Sequence, residues 1–282
     1  MKKSFVLGVF IILLSVSLVI AGVPDFQAVN VAPSSGHAAV TIPENAVEVA
    51  PGIFDLGSAV DPATGKIAQG YAIIHYGNKR ANAKPPWAGG GNNNGETKCY
   101  TFLARGAKWK TVENYSVDSS NLDGLSAGFI SNNIADDIDA WENASGANIL
   151  GDEVSGVINH STIGDLNGKN EVVFGDISSS GAIAVTIVWG IFGGPPQGRE
   201  LVEWDQVYDD VDFDWTEDAL IETDKMDFWN IAIHELGHSV GLGDLYQSEC
   251  SEETMYGYGT EGETQKRDLN AGDIAGVKEL YK

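Results

Sequence analysis

Residues 229–244, WNIAIHELGHSVGLGD, constrain this chain more than any other stretch. Trp229, Ile233, Leu236 and Val240 recur at helical spacing and make an apolar stripe, so the segment is expected to be a helix packed on a core. His234 and His238 lie four residues apart and therefore one turn apart on a different face, where two imidazoles can grip one metal ion. Glu235 sits beside them, within reach of a water on that metal but offset from the ligands. Gly241 ends the helix and permits the positive-φ turn that folds the chain back, so Asp244, three residues on, can supply a third ligand. Aspartate oxygen is an acceptable zinc ligand, and three protein ligands leave a fourth position open. Zinc lowers the pKa of a bound water toward about 7, and a neighbouring carboxylate can take its proton and later pass it to a leaving amine. The other histidines, His37, His75 and His160, are expected to have ordinary structural roles.

Upstream of this stretch the chain changes character several times. Lys2 and Lys3 precede an uninterrupted apolar run from Phe5 to Ile20 and the small residues Ala21 and Gly22, which reads as a cleaved signal peptide over residues 1–22 and predicts secretion. Residues 23–83 carry short extended runs such as Ala72-Ile73-Ile74 between turn signals at Pro33-Ser34-Ser35-Gly36, Pro51-Gly52 and Asp61-Pro62, and read as a small β-rich unit. Residues 84–98 open with KPPWAGGGNNNG and read as an exposed linker. Residues 99–282 read as a compact domain of helices and strands. A first strand is expected over Trp109–Val117 and an amphipathic helix from about Ser126 to near Gly146, with Ile130, Ile134, Ile138 and Trp141 on one face. Further strands are expected at Glu171–Phe174, Ala182–Trp189 and Leu201–Tyr208, and a last helix carries Ile274, Val277 and Tyr281 on one face.

A formal net charge of −23 argues against nucleic acid or an anionic membrane surface as partner, because neither tolerates so negative a field. Export places Cys99 and Cys250 where a disulfide can persist, and a bridge closing a loop of about 150 residues stabilises by about 4 to 5 kcal/mol in the chain-entropy description. The alternative is a Cys99 thiolate on the zinc, since thiolates are strong zinc ligands.

With Thr254-Met255-Tyr256-Gly257 following Asp244, the pattern resembles the metzincin metalloproteases, which carry HExxHxxGxx, then His or Asp, then a methionine turn beneath the metal. The closest resemblance is to matrixins of the archaeal and bacterial type with Asp at the third-ligand position. Weaker matches flank the motif at Lys108-Trp109-Lys110, Asn170-Glu171-Val172-Val173-Phe174, Asp273–Val277 and Leu280-Tyr281. The resemblance implies an α+β, zincin-like catalytic domain with a twisted, mixed five-stranded sheet and an active-site helix, preceded here by the small β-rich segment. It implies a zinc endopeptidase with His234, His238 and Asp244 on the metal, Glu235 activating the zinc-bound water and Met255 in the turn. Tyr258 is a candidate for oxyanion support, as a tyrosine is in some relatives. In matrixins a peptide substrate adds itself to the edge strand of the sheet, and Ala182–Trp189 is that edge by resemblance. The β-rich segment is then either a prosegment that covers the cleft until removed or a permanent subdomain; no PRCGVPD latency motif surrounds Cys99. Calcium is also implied, with oxygen ligands at Asp165, Asn167, Asn170 and Asp176. The expected partners are protein or peptide substrates, with no membrane after signal cleavage, and the expected state is a monomer. Two other classes fit the motif: a secreted module that uses zinc only as a structural clip, and a zinc hydrolase of a non-peptide bond.

Overall fold

Alternation of apolar and polar residues before residue 78 produces strands β1 (Ala38–Val40), β2 (Val47–Ala50), β3 (Ile53–Val60) and β4 (Ile67–Gly77). The computed structural model describes residues 37–43, 46–77 and 98–282; the expected signal peptide and residues 84–97 of the expected linker lie outside the described residues. The chain continues with β5 (Tyr115–Val117), α1 (Ala127–Ser145), β6 (Asn170–Ile177), β7 (Ala182–Ile191), β8 (Glu200–Asp209), β9 (Trp215–Thr216), β10 (Met226–Asp227), α2 (Phe228–Ser239), β11 (Tyr258–Gly259) and α3 (Ala271–Leu280). Helix α1 is bounded by Ser126, whose hydroxyl accepts from the Phe129 amide, and by Gly146 at φ 76°. No helix among the described residues is long and apolar enough to cross a membrane.

Mixed α+β architecture is present, but the sheet is larger than five strands. Among the described residues it has nine, in the order β1-β6-β8-β7-β4-β3-β2, with β5 beside β6 and β11 beside β4. The described strands of the β-rich N-terminal segment join this sheet: β4 pairs antiparallel with β7 from Gln69–Gly190 to Tyr76–Ala182. This corrects the expectation that Ala182–Trp189 is a free edge. The reason is legible in composition, since AIAVTIVWGI is an almost unbroken apolar run, fitting a strand covered on both faces and both sides. Trp109, expected to begin the first strand, lies outside it and donates its indole N–H to the Ser239 carbonyl at 2.7 Å, tying the chain to the end of α2.

The sheet divides the core in two. On one face Ile73, Ile183, Ala184 and Val188 pack with Trp141 of α1 and Ile231, Ile233 and Leu236 of α2. On the other, Ala72, Ile74, Val185, Ile187, Val173 and Val207 form a second cluster closed by Ile163. Strand β4 runs on past the end of β3, and there Tyr76 and Gly77 pair in parallel with Tyr258 and Gly259 of β11. His75 shares the face of Ile73, so the two-residue period of the strand aims it at α2.

Candidate metal centre

Asp227 caps α2 by accepting from the Asn230 amide at 2.9 Å, and the same carboxylate holds the Arg267 guanidinium. The helix ends in a Schellman turn: the Leu242 amide donates to the Gly237 carbonyl and the Gly241 amide to that of His238, both at 2.9 Å, with Gly241 at φ 105°. A β-carbon on Gly241 would stand 2.9 Å from the Ala107 carbonyl oxygen, so the turn is fixed by backbone conformation and by close approach. It brings Asp244 back beneath the helix.

The Nδ1 atoms of both motif histidines face carbonyl oxygens, His234 at 2.7 Å from Thr254 and His238 at 3.0 Å from Leu242. A carbonyl can only accept, so each Nδ1 carries a proton and each Nε2 is turned to the other side of the ring. Those two Nε2 atoms lie 3.2 and 3.4 Å from Asp244 Oδ1. A tetrahedral ion with bonds of about 2.0–2.1 Å separates its ligand atoms by about 3.3–3.4 Å. His234 Nε2, His238 Nε2 and Asp244 Oδ1 are all buried without a hydrogen-bond partner. A cation among these donor atoms, a metal ion or a proton on His238, relieves their crowding about Asp244 Oδ1, and the chemistry of the donor set fits a zinc ion.

Burial pulls His234 down to about 4, which keeps it neutral at pH 7, the form a ligand needs, whereas at His238 burial is outweighed by the Asp244 and Glu235 carboxylates, which raise it to about 9. For Asp244, burial works against the charge, but His238 and His234 outweigh it and hold the carboxyl well below the usual range. The Tyr246 hydroxyl donates to Asp244 Oδ2 at 3.0 Å, leaving Oδ1 for the metal. Burial pushes Glu235 up to about 7. Its Oε2 accepts from the Thr186 hydroxyl of β7 at 2.5 Å, while Oε1 has no hydrogen-bond partner.

Met255 lies beneath the helix. A β-carbon on Gly237 would come within 2.1 Å of Met255 Sδ, so this glycine is what lets the turn pack so close. The turn is clamped by Asp273 of α3, whose carboxylate accepts from the Thr254 amide at 2.7 Å and the Met255 amide at 3.1 Å.

Residues 196–282 match the matrixin family. Over that stretch the chain is similar to the matrixins. Among curated proteins, none matches it. The matrixin match takes in His234, Glu235, His238, Asp244 and Met255, and it supports a zinc-dependent metallopeptidase with protein or peptide substrates.

Other residues singled out in the sequence fall in different places. Cys99 and Cys250 are joined in a disulfide across 151 residues, so no thiolate is left for the metal. The Tyr258 ring packs edge-on against Tyr246 at 5.3 Å, reaching the centre through that residue. The calcium expectation is corrected by the strand that carries it: Asn170 and Asp176 stand near opposite ends of β6, about 20 Å apart at the usual rise, so the four residues cannot share one ion. Asn170 is moreover buried, donating to the Asn114 carbonyl and accepting from the Trp204 amide. Asp165 and Asn167 sit in the preceding loop, where Asn167 donates to Glu171.

His37 stands 3.6 Å from Asp210, and His160 pairs with Asp118 at 2.9 Å. His75 was expected to have an ordinary structural role. It lies against the candidate centre, with donor atoms of His75, His234 and Asp244 all within 4.8 Å of one another. A usable sequence signal existed: a titratable residue at the inward-facing position of the apolar run Ala72-Ile73-Ile74. Tyr246, Thr186 and Asp273 were also missed as supports of the site, although Asn270-x-x-Asp273 reads as a capping box.

Proposed function

We propose that this chain is an exported zinc endopeptidase in which His234, His238 and Asp244 hold the metal and Glu235 is the general base. The observation that carries the reading is the convergence of two histidine Nε2 atoms on Asp244 Oδ1 at 3.2 and 3.4 Å, next to a buried glutamate. Zinc, when bound, supplies a Lewis acid that lowers the pKa of water and polarises the scissile carbonyl. Thr186 fixes Oε2 of Glu235 and leaves Oε1 to take the proton of the attacking water. As water oxygen bonds to the carbonyl carbon and the C–N bond breaks, Glu235 passes that proton to the departing amine. Tyr246 keeps Asp244 oriented, and the Met255 turn supports the floor of the site.

Export rests on Lys2, Lys3 and the apolar run from Phe5 to Ile20. The substrate is an extended peptide, and in matrixin fashion it would pair with β7, where β4 now lies. A second reading, a zinc module without catalysis, is favoured by one observation: His75 brings a further protein donor within 4.8 Å of those of His234 and Asp244.

The deciding experiment incubates zinc-loaded protein with unfolded casein, before and after trypsin treatment, and reads new peptide termini by mass spectrometry. Cleavage by the wild type in either form, and none by Glu235→Gln at equal zinc content, is expected. Equal cleavage by the Gln variant overturns the reading.

A further inference from the structure

We propose that His75 is a fourth protein ligand of the metal, so that the chain closes its own catalytic position with strand β4. The inference rests on the zinc-site reading given above and deepens it.

Three observations carry it. His75 is only 2% exposed, and neither of its ring nitrogens has a hydrogen-bond partner. A buried imidazole with both nitrogens unpaired is costly, and ligation is the way to satisfy one of them. Its ring also meets that of His234 edge-on, with centroids 4.2 Å apart, and its Nδ1 is 3.6 Å from Glu235 Oε1, the oxygen that would take a proton from water. The imidazole therefore stands where the attacking water must enter. Finally, the position is enforced by backbone: His75 pairs with Ala184 of β7, and the next two residues pair with Tyr258 and Gly259 of β11. Gly259 makes room, since a β-carbon there would lie 2.8 Å from His75 Nε2.

Three ligands from the motif region leave one position open for water and substrate; His75, whose donor atoms group within 4.8 Å with those of His234 and Asp244 but not of His238, stands on the side from which it would be filled. With β4 on the only side of β7 not taken by β8, the strand also occupies the pairing edge that an extended substrate needs. Metal position and substrate edge are thus blocked by one element. No cysteine is involved, since Cys99 and Cys250 are bridged to each other.

The test uses the full chain and its His75→Ala variant, both loaded with zinc. X-ray absorption at the zinc edge counts the coordinated imidazoles, zinc content is measured on the same samples, and casein cleavage is followed in parallel. Three imidazoles in the wild type, two in His75→Ala at equal zinc content, and a cleavage rate raised by roughly tenfold or more are expected. Two imidazoles in both proteins would overturn the assignment. A drop from three to two with no cleavage by any form would leave the ligand in place and defeat the enzymatic reading. A chain that takes up no zinc defeats both. Should His75→Ala fail to fold, His75→Gln, which keeps the bulk but is a poor zinc ligand, is read in the same spectrum.

Discussion

Replacing Gly241 by alanine tests how the helix end delivers Asp244. At φ 105° an L-residue with a β-carbon is strained by about 1–2 kcal/mol. The added carbon would also meet the Ala107 carbonyl oxygen and Leu280 Cδ2, each at 2.9 Å, and crowding of this kind costs about 1–3 kcal/mol. Together these give about 2–5 kcal/mol, or a fall in Tm of roughly 5–20 °C for a domain of this size. Gly146→Ala isolates the first contribution, because Gly146 has φ 76° but nothing within 4 Å of the added carbon. It should lose only about 1–2 kcal/mol. Relief of the Ala107 clash requires the turn to move, and the turn carries Asp244, so Gly241→Ala should also bind zinc roughly 10–100-fold more weakly while Gly146→Ala binds normally. Thermal unfolding in EDTA and zinc titration against a competing chelator measure the two effects. Equal stability losses in the two variants, with unchanged zinc affinity, would refute the reasoning.

Gly237→Ala drives a methyl group into Met255 Sδ and Trp141 Cζ2 and should cost about 1–3 kcal/mol, whereas Gly128→Ala, in open space on α1, should gain up to about 1 kcal/mol; denaturant unfolding of the pair checks this. Tyr246→Phe removes the hydroxyl that orients Asp244 and should weaken zinc binding by roughly 10-fold or more with little change in Tm; an unchanged affinity would mean that Asp244 needs no such support. Burial raises Asp209 and Asp273 to about 6 and Glu203 to about 8, so between about pH 4 and pH 8 the folded chain binds more protons than the unfolded one. The stability these groups contribute is complete below their unfolded values and is lost as pH rises through the folded ones. In EDTA, Tm should therefore fall from pH 5 to pH 8; a flat or rising curve contradicts this.

Local chemistry made the α2 region legible in sequence. Helical spacing places His234 and His238 on one face, and the Gly241 turn brings Asp244 back to them because a Schellman end needs only glycine at that position. Helix α1 was equally readable, since Ser126 and Gly146 mark its ends and an apolar stripe lies between them. What sequence spacing did not disclose depends on contacts between distant strands. That Ile67–Gly77 would pair with Ala182–Ile191 is settled by contacts between distant strands, and an isolated β-rich stretch does not announce its partner. His75 went unrecognised for the same reason: its meaning comes from a strand pairing across more than a hundred residues. The four calcium candidates are near in sequence, but an extended strand separates its residues by about 3.3 Å each, which scattered them.

The central claim is that His234, His238 and Asp244 hold the metal on which hydrolysis depends. The most direct test is zinc content after exhaustive dialysis of the wild type, Asp244→Ala and the exposed control Asp176→Ala. One zinc per chain in the wild type and in Asp176→Ala, with at least roughly tenfold less in Asp244→Ala, is the predicted result. Equal zinc in all three would contradict the account at its centre.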